Sequence, residues 1–330
     1  MKVLITGGAG FLGQRLARAL LARGELRDSQ GRVRRIEQLV LADLVPAADF
    51  GDDRVRILTG DIADPAFLRQ AIDTDTASVF HLAAVVSGQA EAEFELGMRI
   101  NLDASRLLLD TCRALGHAPK VVFTSSVAVY GGRLPDLVRD DTALNPRSSY
   151  GTQKAIAELL LNDYSRRGFV DGRVLRLPTI SVRPGKPNKA ASSFASGIIR
   201  EPLNGQASVC PVQPEAKLWL LSPGAAIEAL IAGHELPAGV LEESRTINLP
   251  GLSVSVAEML TALETLAGPE AVARVRFAPD PGIERIVNSW PAAWDVTRAK
   301  ALGLAADADV ASMIAAYVRE TPGLSLERDR

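Results

Sequence analysis

Thr6-Gly7-Gly8-Ala9-Gly10-Phe11-Leu12-Gly13 is the stretch that decides the fold. It joins an apolar run over residues 2–6 to a helical pattern over residues 11–23, which predicts a strand, a glycine turn and a helix. Glycines at positions 8, 10 and 13, or equally 7, 10 and 13, allow the tight turn and let the backbone approach a ligand. The amino end of the helix then offers N–H donors and a favourable dipole to a pyrophosphate. The segment predicts dinucleotide binding, with a ligand-free glycine turn as the alternative.

The rest of the first half alternates short apolar runs with helical patterns, which predicts a parallel sheet with helices on both faces. The predicted strands cover residues 2–6, 38–42, 55–59, 78–82, 120–124 and 173–177, and the predicted helices cover residues 11–23, 65–72, 100–115 and 150–166. We therefore expect an α/β fold in which residues 1–176 form a doubly wound parallel sheet, the Rossmann arrangement. Polar residues 24–35 are expected to form a surface loop.

After Leu177 the pattern loosens, because prolines at positions 178, 184, 187, 202, 211 and 214 interrupt any long element. Residues 177–330 are expected to form a smaller C-terminal α/β domain that binds substrate, with segments that return to the first domain. Two helices are predicted there, over residues 224–233 and 256–267. The second has Ser255 as its expected N-cap and Gly268 as its expected stop.

Composition excludes several classes of function. The net charge of −2 gives no electrostatic reason to expect nucleic acid or a membrane as partner. Two cysteines and three well-separated histidines predict neither a disulfide framework nor a metal site. Met1 is followed at once by the strand-like Val3-Leu4-Ile5, so no signal peptide is expected and the protein is predicted to be cytoplasmic.

Acidic and small residues after the later strands extend the expected cofactor site. Asp43 follows the second strand, where a carboxylate binds the adenine-linked ribose hydroxyls and repels a 2′-phosphate, which favours NAD over NADP. Asp61-Ile62 could bracket the adenine, although Asp61 could equally cap the helix that begins near Pro65. Small residues in Leu82-Ala83-Ala84 would let the cofactor lie against the backbone, and His81 is expected to be a packed core residue.

Tyr150 and Lys154 are the predicted catalytic pair, because positions i and i+4 share one face of a helix. An ammonium there favours the phenolate, so Tyr150 could act as a base near neutral pH. The serines Ser125 and Ser126 end an apolar run upstream and are expected to join the pair. The sequence thus indicates a site that moves a hydride and a proton.

These motifs resemble the extended short-chain dehydrogenase/reductase family, which includes nucleotide-sugar epimerases and dehydratases. The resemblance covers residues 1–185 and rests on the glycine turn, Asp43, HLAA at 81–84, TSSVAVYG at 124–131 and YGTQK at 150–154. It implies that Tyr150 transfers the proton, that Lys154 lowers its pKa and binds the nicotinamide ribose, and that Ser126 binds the reacting oxygen. It also implies cofactor contacts from Gly7, Gly10, Phe11, Leu12, Gly13, Asp43, Asp61, Ile62, Leu82, Ala83, Ala84, Asn101, Tyr150, Lys154, Pro178 and Thr179. Asn101 would connect the lysine to water, although an ordinary helix N-cap explains an asparagine there equally well.

The substrate class follows from departures from the nucleotide-sugar members. Val127-Ala128 follows Ser126, where 4,6-dehydratases place Asp-Glu, and Thr179 stands where diphosphate-binding members carry asparagine. Cations at positions 183, 186 and 217 suit a small polyhydroxy carboxylate, although each could be a solvated surface charge. The expected substrate-binding residues are Ser87, Ser125, Ser126, Tyr150, Arg183 and Lys217.

The resemblance thus implies NAD-dependent oxidation of a hydroxyl of a small sugar acid. Two alternatives stay open: a nucleotide-sugar epimerase that recycles bound NAD, and a redox-sensing binding protein without chemistry. The family often pairs the helices at 100–115 and 150–166 across a dimer. Apolar stripes on these helices include Leu107, Leu108, Ile156, Leu159 and Leu160, so a homodimer is expected.

Overall fold

A parallel sheet with helices on both faces forms the centre of the molecule. The computed structural model describes residues 1–187, 189–324 and 326. The strands are β1 (Lys2–Thr6), β2 (Glu25–Arg27), β3 (Val33–Arg35), β4 (Gln38–Asp43), β5 (Val55–Thr59), β6 (Thr76–His81), β7 (Lys120–Ser126), β8 (Asp171–Leu177), β9 (Thr179–Ile180), β10 (Ser208–Cys210), β11 (Lys217–Leu221), β12 (Thr246–Asn248), β13 (Leu252–Ser255) and β14 (Val275–Phe277). Seven of them form the central sheet in the order β12-β8-β7-β6-β1-β4-β5, and every neighbouring pair is parallel.

Helices cover the sheet and build most of the C-terminal half. They are α1 (Phe11–Arg23), α2 (Pro65–Ala71), α3 (Ser87–Ala92), α4 (Phe94–Gly97), α5 (Ala104–Leu115), α6 (Ser149–Arg166), α7 (Phe194–Leu203), α8 (Pro223–Glu235), α9 (Val256–Ala267), α10 (Pro269–Val272), α11 (Pro281–Val287), α12 (Thr297–Ala301) and α13 (Val310–Glu320). No helix in the described ranges is both long and apolar enough to cross a bilayer.

The predicted fold class is confirmed, because the six predicted strands all appear in one parallel sheet. Alternate residues of β1 face opposite layers, as the period of a strand requires. Val3 and Ile5 pack in the core shared with α1 and α8, whereas Leu4 packs in the core on the opposite face. Both faces of the sheet are buried against apolar side chains, which explains why the sequences of the central strands are nearly continuous apolar runs.

The C-terminal half contributes to two cores. Its helix α8 packs in the first sheet's core, and β12 extends the sheet beside β8. A separate core joins α7, α9 and α13, with Ile198, Met259 and Ile314 among its buried members. The strands β9, β11 and β13 form a small sheet that connects this second core to the end of β8.

The expected surface loop at residues 24–35 is wrong, because β2 and β3 form an antiparallel hairpin there. Leu26 is fully buried in the core under α8, and the backbone N–H of Arg27 donates to Glu235 at 2.9 Å. Asp28 closes the turn by accepting from the backbone N–H groups of Gln30 and Arg32. A single buried residue between charged neighbours is too short a pattern to indicate a strand.

Of two predicted helices, one begins earlier than expected and the other has the expected ends. The helix predicted over 100–115 begins earlier, because α4 runs through a π-helical turn at Met98–Asp103 into α5. Asn101 therefore lies inside a helical run, and its interpretation as an N-cap is wrong. The prediction for α9 is confirmed, since Ser255 and Glu258 form a reciprocal capping box and Gly268 ends the helix.

Candidate active site

A cleft of about 550 Å³ opens at the carboxyl ends of the parallel strands. This edge of a doubly wound sheet is where ligands bind, because the strand ends and helix amino termini converge there. The predicted site residues that line the cleft are Gly7, Gly10, Phe11, Leu12, Gly13, Asp43, Asp61, Ile62, Leu82, Ala83, Ala84, Ser87, Ser125, Ser126, Tyr150, Lys154, Pro178, Thr179 and Arg183. The fold therefore brings together residues from both halves of the chain.

Gly7 and Gly13 in the glycine turn have no room for a side chain. Gly7 has φ of +72°, a left-handed conformation that favours glycine. A Cβ on Gly13 would lie 2.1 Å from the Gly7 carbonyl oxygen, so any side chain there would force the turn open. The turn thus holds the start of α1 close to the ends of β1 and β4, as a pyrophosphate-binding turn requires.

Asp43 ends β4 at the expected ribose position. Its Oδ2 accepts from the Ala9 backbone N–H at 3.0 Å, and its Oδ1 accepts from the Leu44 N–H at 2.7 Å. Each oxygen keeps a further lone pair on the half-buried carboxylate, so the group can still accept from ribose hydroxyls. Together with the glycine turn, this acceptor set fits NAD.

Asp61 does not cap the following helix, because Asp64 holds that position and accepts from Ala66 N–H at 2.8 Å. Instead, Asp61 accepts from Ala63 N–H and pairs with Arg99 at 2.5 Å, at the side of the cleft. Burial works to raise the pKa of Asp61, but hydrogen bonds from Arg99 and from the Ala63 N–H, together with the Arg99 charge, lower it overall. Asp61 is thus an ionised wall residue beside the predicted adenine site.

His81 is a packed core residue, as predicted. Its Nδ1 lies 2.6 Å from the Thr6 hydroxyl and its Nε2 lies 2.9 Å from the Ser105 hydroxyl. Burial lowers the pKa of His81 to about 3, and the nearby Lys154 charge adds to the shift. A neutral imidazole with both nitrogens engaged cannot serve as the acid or base of the site.

Tyr150 faces Ser126 and Arg183 in the middle of the cleft. Burial raises the pKa of Tyr150 to about 12, against the lowering effects of a hydrogen bond with Ser126 and of the Arg183 charge. Because Ser126 Oγ already accepts from Ala128 N–H at 3.2 Å, its own O–H can donate to the phenol oxygen. Ser126 and Arg183 are therefore two groups that favour the phenolate, and the lowering of the Tyr150 pKa by Lys154 stays a prediction.

Lys154 is almost fully buried in the floor of the cleft. Its Nζ donates to the Thr124 carbonyl oxygen at 2.9 Å and lies 4.5 Å from the centroid of the Phe123 ring. The same nitrogen is 5.7 Å from the centroid of the Tyr150 ring. Burial lowers the pKa of Lys154 to about 7, while the charge of Glu158, one turn along α6, opposes the shift.

Two polar side chains in the cleft lack a partner among the described residues: a hydroxyl lacks a hydrogen-bond partner, and a guanidinium lacks a carboxylate. Ser125 is 3% exposed, and its Oγ has no hydrogen-bond partner among the described residues. The Arg183 guanidinium lies 5.8 Å from the centroid of the Phe11 ring, and no carboxylate in the described ranges lies within ion-pair distance of it. A buried hydroxyl and a half-buried cation without a counter-ion suit a hydroxylated anion.

Three residues are not brought into the cleft. Asn101 is 1% exposed and lies behind the wall, where it bonds to the backbone of Val85 and to Gln153. Lys217 begins β11, and its exposed side chain lies outside the cleft. Lys186 is exposed on the loop between β9 and α7. The substrate-binding role expected of Lys217 therefore receives no support from the geometry, and its alternative, a solvated surface charge, describes it better.

Other lining residues escaped the sequence reasoning. They include Leu44, Val85, Gln89 and Trp290. Trp290 follows α11, far along the chain, and no local pattern marks it as part of the site. Only the packing of the C-terminal half over the sheet places it there.

Similarity to known proteins extends over the segments of the chain that line the cleft. A profile of the NAD dependent epimerase/dehydratase family matches residues 3–219. D-erythronate dehydrogenase of Cupriavidus necator is 65% identical over 97% of this chain and 98% of its own length, and that of Haemophilus influenzae is 47% identical over 96% and 99%. A solved structure of a nucleoside-diphosphate-sugar epimerase from Agrobacterium tumefaciens has a TM-score of 0.92 at 41% identity, covering 98% of this chain and 95% of that chain. The similarity thus includes the C-terminal half that supplies Arg183.

Proposed function

Because this chain belongs to the NAD dependent epimerase/dehydratase family and is an NAD-dependent dehydrogenase of the extended short-chain type, we propose that it oxidises D-erythronate. Carbon C2 of this four-carbon sugar acid gives its hydrogen to NAD as a hydride, the hydroxyl on C2 gives up a proton, and the product is 2-oxo-tetronate. The observation that carries the proposal is the position of Arg183, a cation beside Tyr150 that has no carboxylate partner among the described residues. The names of the two relatives narrow the sugar acid to D-erythronate.

The geometry supports a defined division of labour. Arg183 binds the carboxylate, which sets the adjacent C2 hydroxyl near Tyr150, and the unpartnered Ser125 hydroxyl can bind a further substrate hydroxyl. With substrate bound, the Ser126 O–H donates to the reacting oxygen instead of to the phenol oxygen, and Tyr150 accepts the proton of the substrate hydroxyl. Bound NAD supplies the hydride acceptor and a positive charge that favours the phenolate. Lys154, whose Nζ donates to the Thr124 carbonyl oxygen, binds the nicotinamide ribose in this proposal.

Purified protein mixed with NAD and D-erythronate tests this function directly. We expect stoichiometric NADH and a 2-oxo acid that can be trapped with phenylhydrazine. Oxidation at C3 would instead give a 3-oxo acid, which readily loses carbon dioxide, so the trapped product separates the two positions. Erythritol, which lacks the carboxylate, is the matched control and should give little NADH. Absence of NADH with all the four-carbon sugar acids would contradict the proposal.

A nucleotide-sugar epimerase is the second candidate, because a structure with that name is 41% identical over nearly the whole chain. An epimerase returns the hydride to its substrate, so it interconverts UDP-sugars without net release of NADH. The same assay with UDP-glucose and UDP-glucuronate separates the two activities. Turnover of a UDP-sugar without NADH, together with no reaction on D-erythronate, would favour the epimerase.

We also propose that the protein forms a homodimer through α5 and α6. Leu108 of α5 packs in the core. On α6, by contrast, Leu159 is 66% exposed and Ile156 is 37% exposed. Leu159→Glu is expected to convert the dimer to a monomer, because it places a charge in an apolar interface. Light scattering after size exclusion measures the mass. Val240→Glu, at a similarly exposed position elsewhere, is the control, and a wild-type monomer would contradict the proposal.

A further inference from the structure

A buried polar contact joins the catalytic helix to the wall of the cleft. Gln153 precedes Lys154 in α6 and is fully buried, although it does not line the cleft. Its Oε1 accepts from Asn101 Nδ2 at 2.8 Å. The same Nδ2 donates to the Val85 carbonyl oxygen at 3.0 Å, and Asn101 Oδ1 accepts from the Val85 N–H at 2.8 Å. Asn101 thus connects the backbone of Val85 to α6.

The network itself determines the orientation of both amides. A backbone N–H can only donate, so the Asn101 atom that faces the Val85 N–H must be oxygen. The nitrogen of Asn101 then faces Gln153, which must present its own oxygen in return. Each assignment follows from the previous one, and reversing either amide would oppose two donors or two acceptors.

The surrounding backbone is shaped to admit this contact. Asn101 lies in the π-helical turn Met98–Asp103, and such turns are frequent at functional sites. A Cβ on Gly97 would lie 2.7 Å from Gln153 Nε2, so glycine at that position leaves room for the glutamine side chain. A polar side chain and a local distortion of the helix therefore coincide beside the catalytic lysine.

Stability alone does not explain the glutamine. Its Nε2 is buried and has no hydrogen-bond partner among the described residues. A buried donor without a partner costs stability, and an apolar side chain of the same size would avoid that cost. The glutamine instead fixes the distance between α6 and Val85 through Asn101. Val85 lines the cleft together with Leu82–Ala84.

We propose that Gln153 is a positioning residue that acts through Asn101. It holds the cleft wall at Val85 in register with the helix that carries Tyr150 and Lys154, so that the bound cofactor and the proton acceptor meet at the correct separation. The inference depends on NAD binding and on the dehydrogenase activity of the family, but not on which sugar acid is the substrate.

Gln153→Met removes the hydrogen bond and keeps the volume. We expect a roughly tenfold to hundredfold loss of kcat/KM, because small displacements of reacting groups are costly, together with weaker NADH binding. The thermal midpoint should stay close to that of the wild type, because the lost hydrogen bond and the removed unpaired donor have opposite effects. NADH binding is measured by fluorescence without any substrate, so a wrong substrate assignment would leave this measurement informative.

Asn162→Leu is the matched control on the same helix. Asn162 bonds to Thr246 and Arg245, on the side of α6 away from the cleft wall, so its loss should lower stability and leave NADH binding unchanged. A purely structural role for Gln153 predicts the same pattern for Gln153→Met, and that result would overturn the proposal.

A double-mutant cycle tests whether Gln153 acts through Asn101. In an Asn101→Leu background the contact is already lost, so adding Gln153→Met should change NADH affinity and kcat/KM very little. Independent effects that multiply in the double variant would show that Gln153 acts by another route and would overturn the proposal.

Discussion

Replacing Tyr150 with phenylalanine is expected to abolish NAD reduction by the sugar acid while NADH binding persists. The variant keeps the ring but removes the only atom of this side chain that can accept the proton. General acid–base groups contribute roughly 10²- to 10⁴-fold, so kcat should fall by at least that range. The measurement is steady-state NADH formation, with NADH binding followed by fluorescence in parallel.

Tyr164→Phe provides the matched control, because it removes a hydroxyl from the same helix away from the cleft. The Tyr164 hydroxyl donates to Asp110 at 2.7 Å and does not line the cleft. Its loss should leave kcat unchanged. A Tyr150→Phe enzyme that kept more than about a hundredth of the wild-type kcat would exclude Tyr150 as the proton acceptor.

If Tyr150 is the proton acceptor, the rate of oxidation should depend on pH. Burial raises the pKa of Tyr150 to about 12, so below that value the phenolate is the minor form and its fraction grows about tenfold for each pH unit. The rate of oxidation should therefore rise from pH 7 towards pH 9. The residual rate of Tyr150→Phe should lack this rise, and a pH-independent wild-type rate would contradict the assignment.

Replacing Arg183 with methionine is expected to have the second largest effect. Removing one partner of a desolvated charge pair costs about 2–5 kcal/mol, so kcat/KM for D-erythronate should fall roughly 30-fold to several thousand-fold. Most of the loss should appear in KM, because the carboxylate is bound in the ground state. A smaller loss in kcat is also expected, since the Arg183 charge lowers the pKa of Tyr150.

The cofactor provides the decisive comparison for Arg183. Its guanidinium lies near Phe11, which borders the pyrophosphate turn, so the cation could in principle serve the cofactor. NADH affinity should nevertheless be unchanged in Arg183→Met if the guanidinium binds the substrate carboxylate. Lys186→Met, an exposed cation on the same loop, should alter neither constant. Weaker NADH binding with an unchanged KM for the sugar acid would assign Arg183 to the cofactor instead.

The cofactor half could be predicted because its signals are local. The glycine turn, the strand before it and the helix after it are contiguous, and a side chain at Gly13 is excluded by the neighbouring Gly7 and Gly8. Asp43 was predictable for the same reason, since it ends a buried strand next to that turn. The hairpin at residues 24–35 was not, because it is stabilised by Leu26 under α8 and by Glu235 from the distant half of the chain.

The substrate side was harder to predict because several cations had equivalent local patterns. Arg183, Lys186 and Lys217 each follow a strand or turn in a loop-rich region. The structure separates them: Ser196 in α7 binds the Arg183 backbone N–H at 3.0 Å, while Lys186 and Lys217 face solvent. The direction in which a loop side chain points depends on the packing of the loop, which no short sequence pattern encodes.

The sequence by itself determined the α/β class, the glycine turn, the carboxylate at the end of β4 and the presence of Tyr150 and Lys154 on one helix, because each depends on residues a few positions apart. Tertiary structure alone decided that Lys154 bonds to Thr124, that Arg183 lies near enough to Tyr150 to lower its pKa, and that Asn101 bonds to Gln153. Burial and long-range contacts set these properties, and both arise only when distant segments pack together.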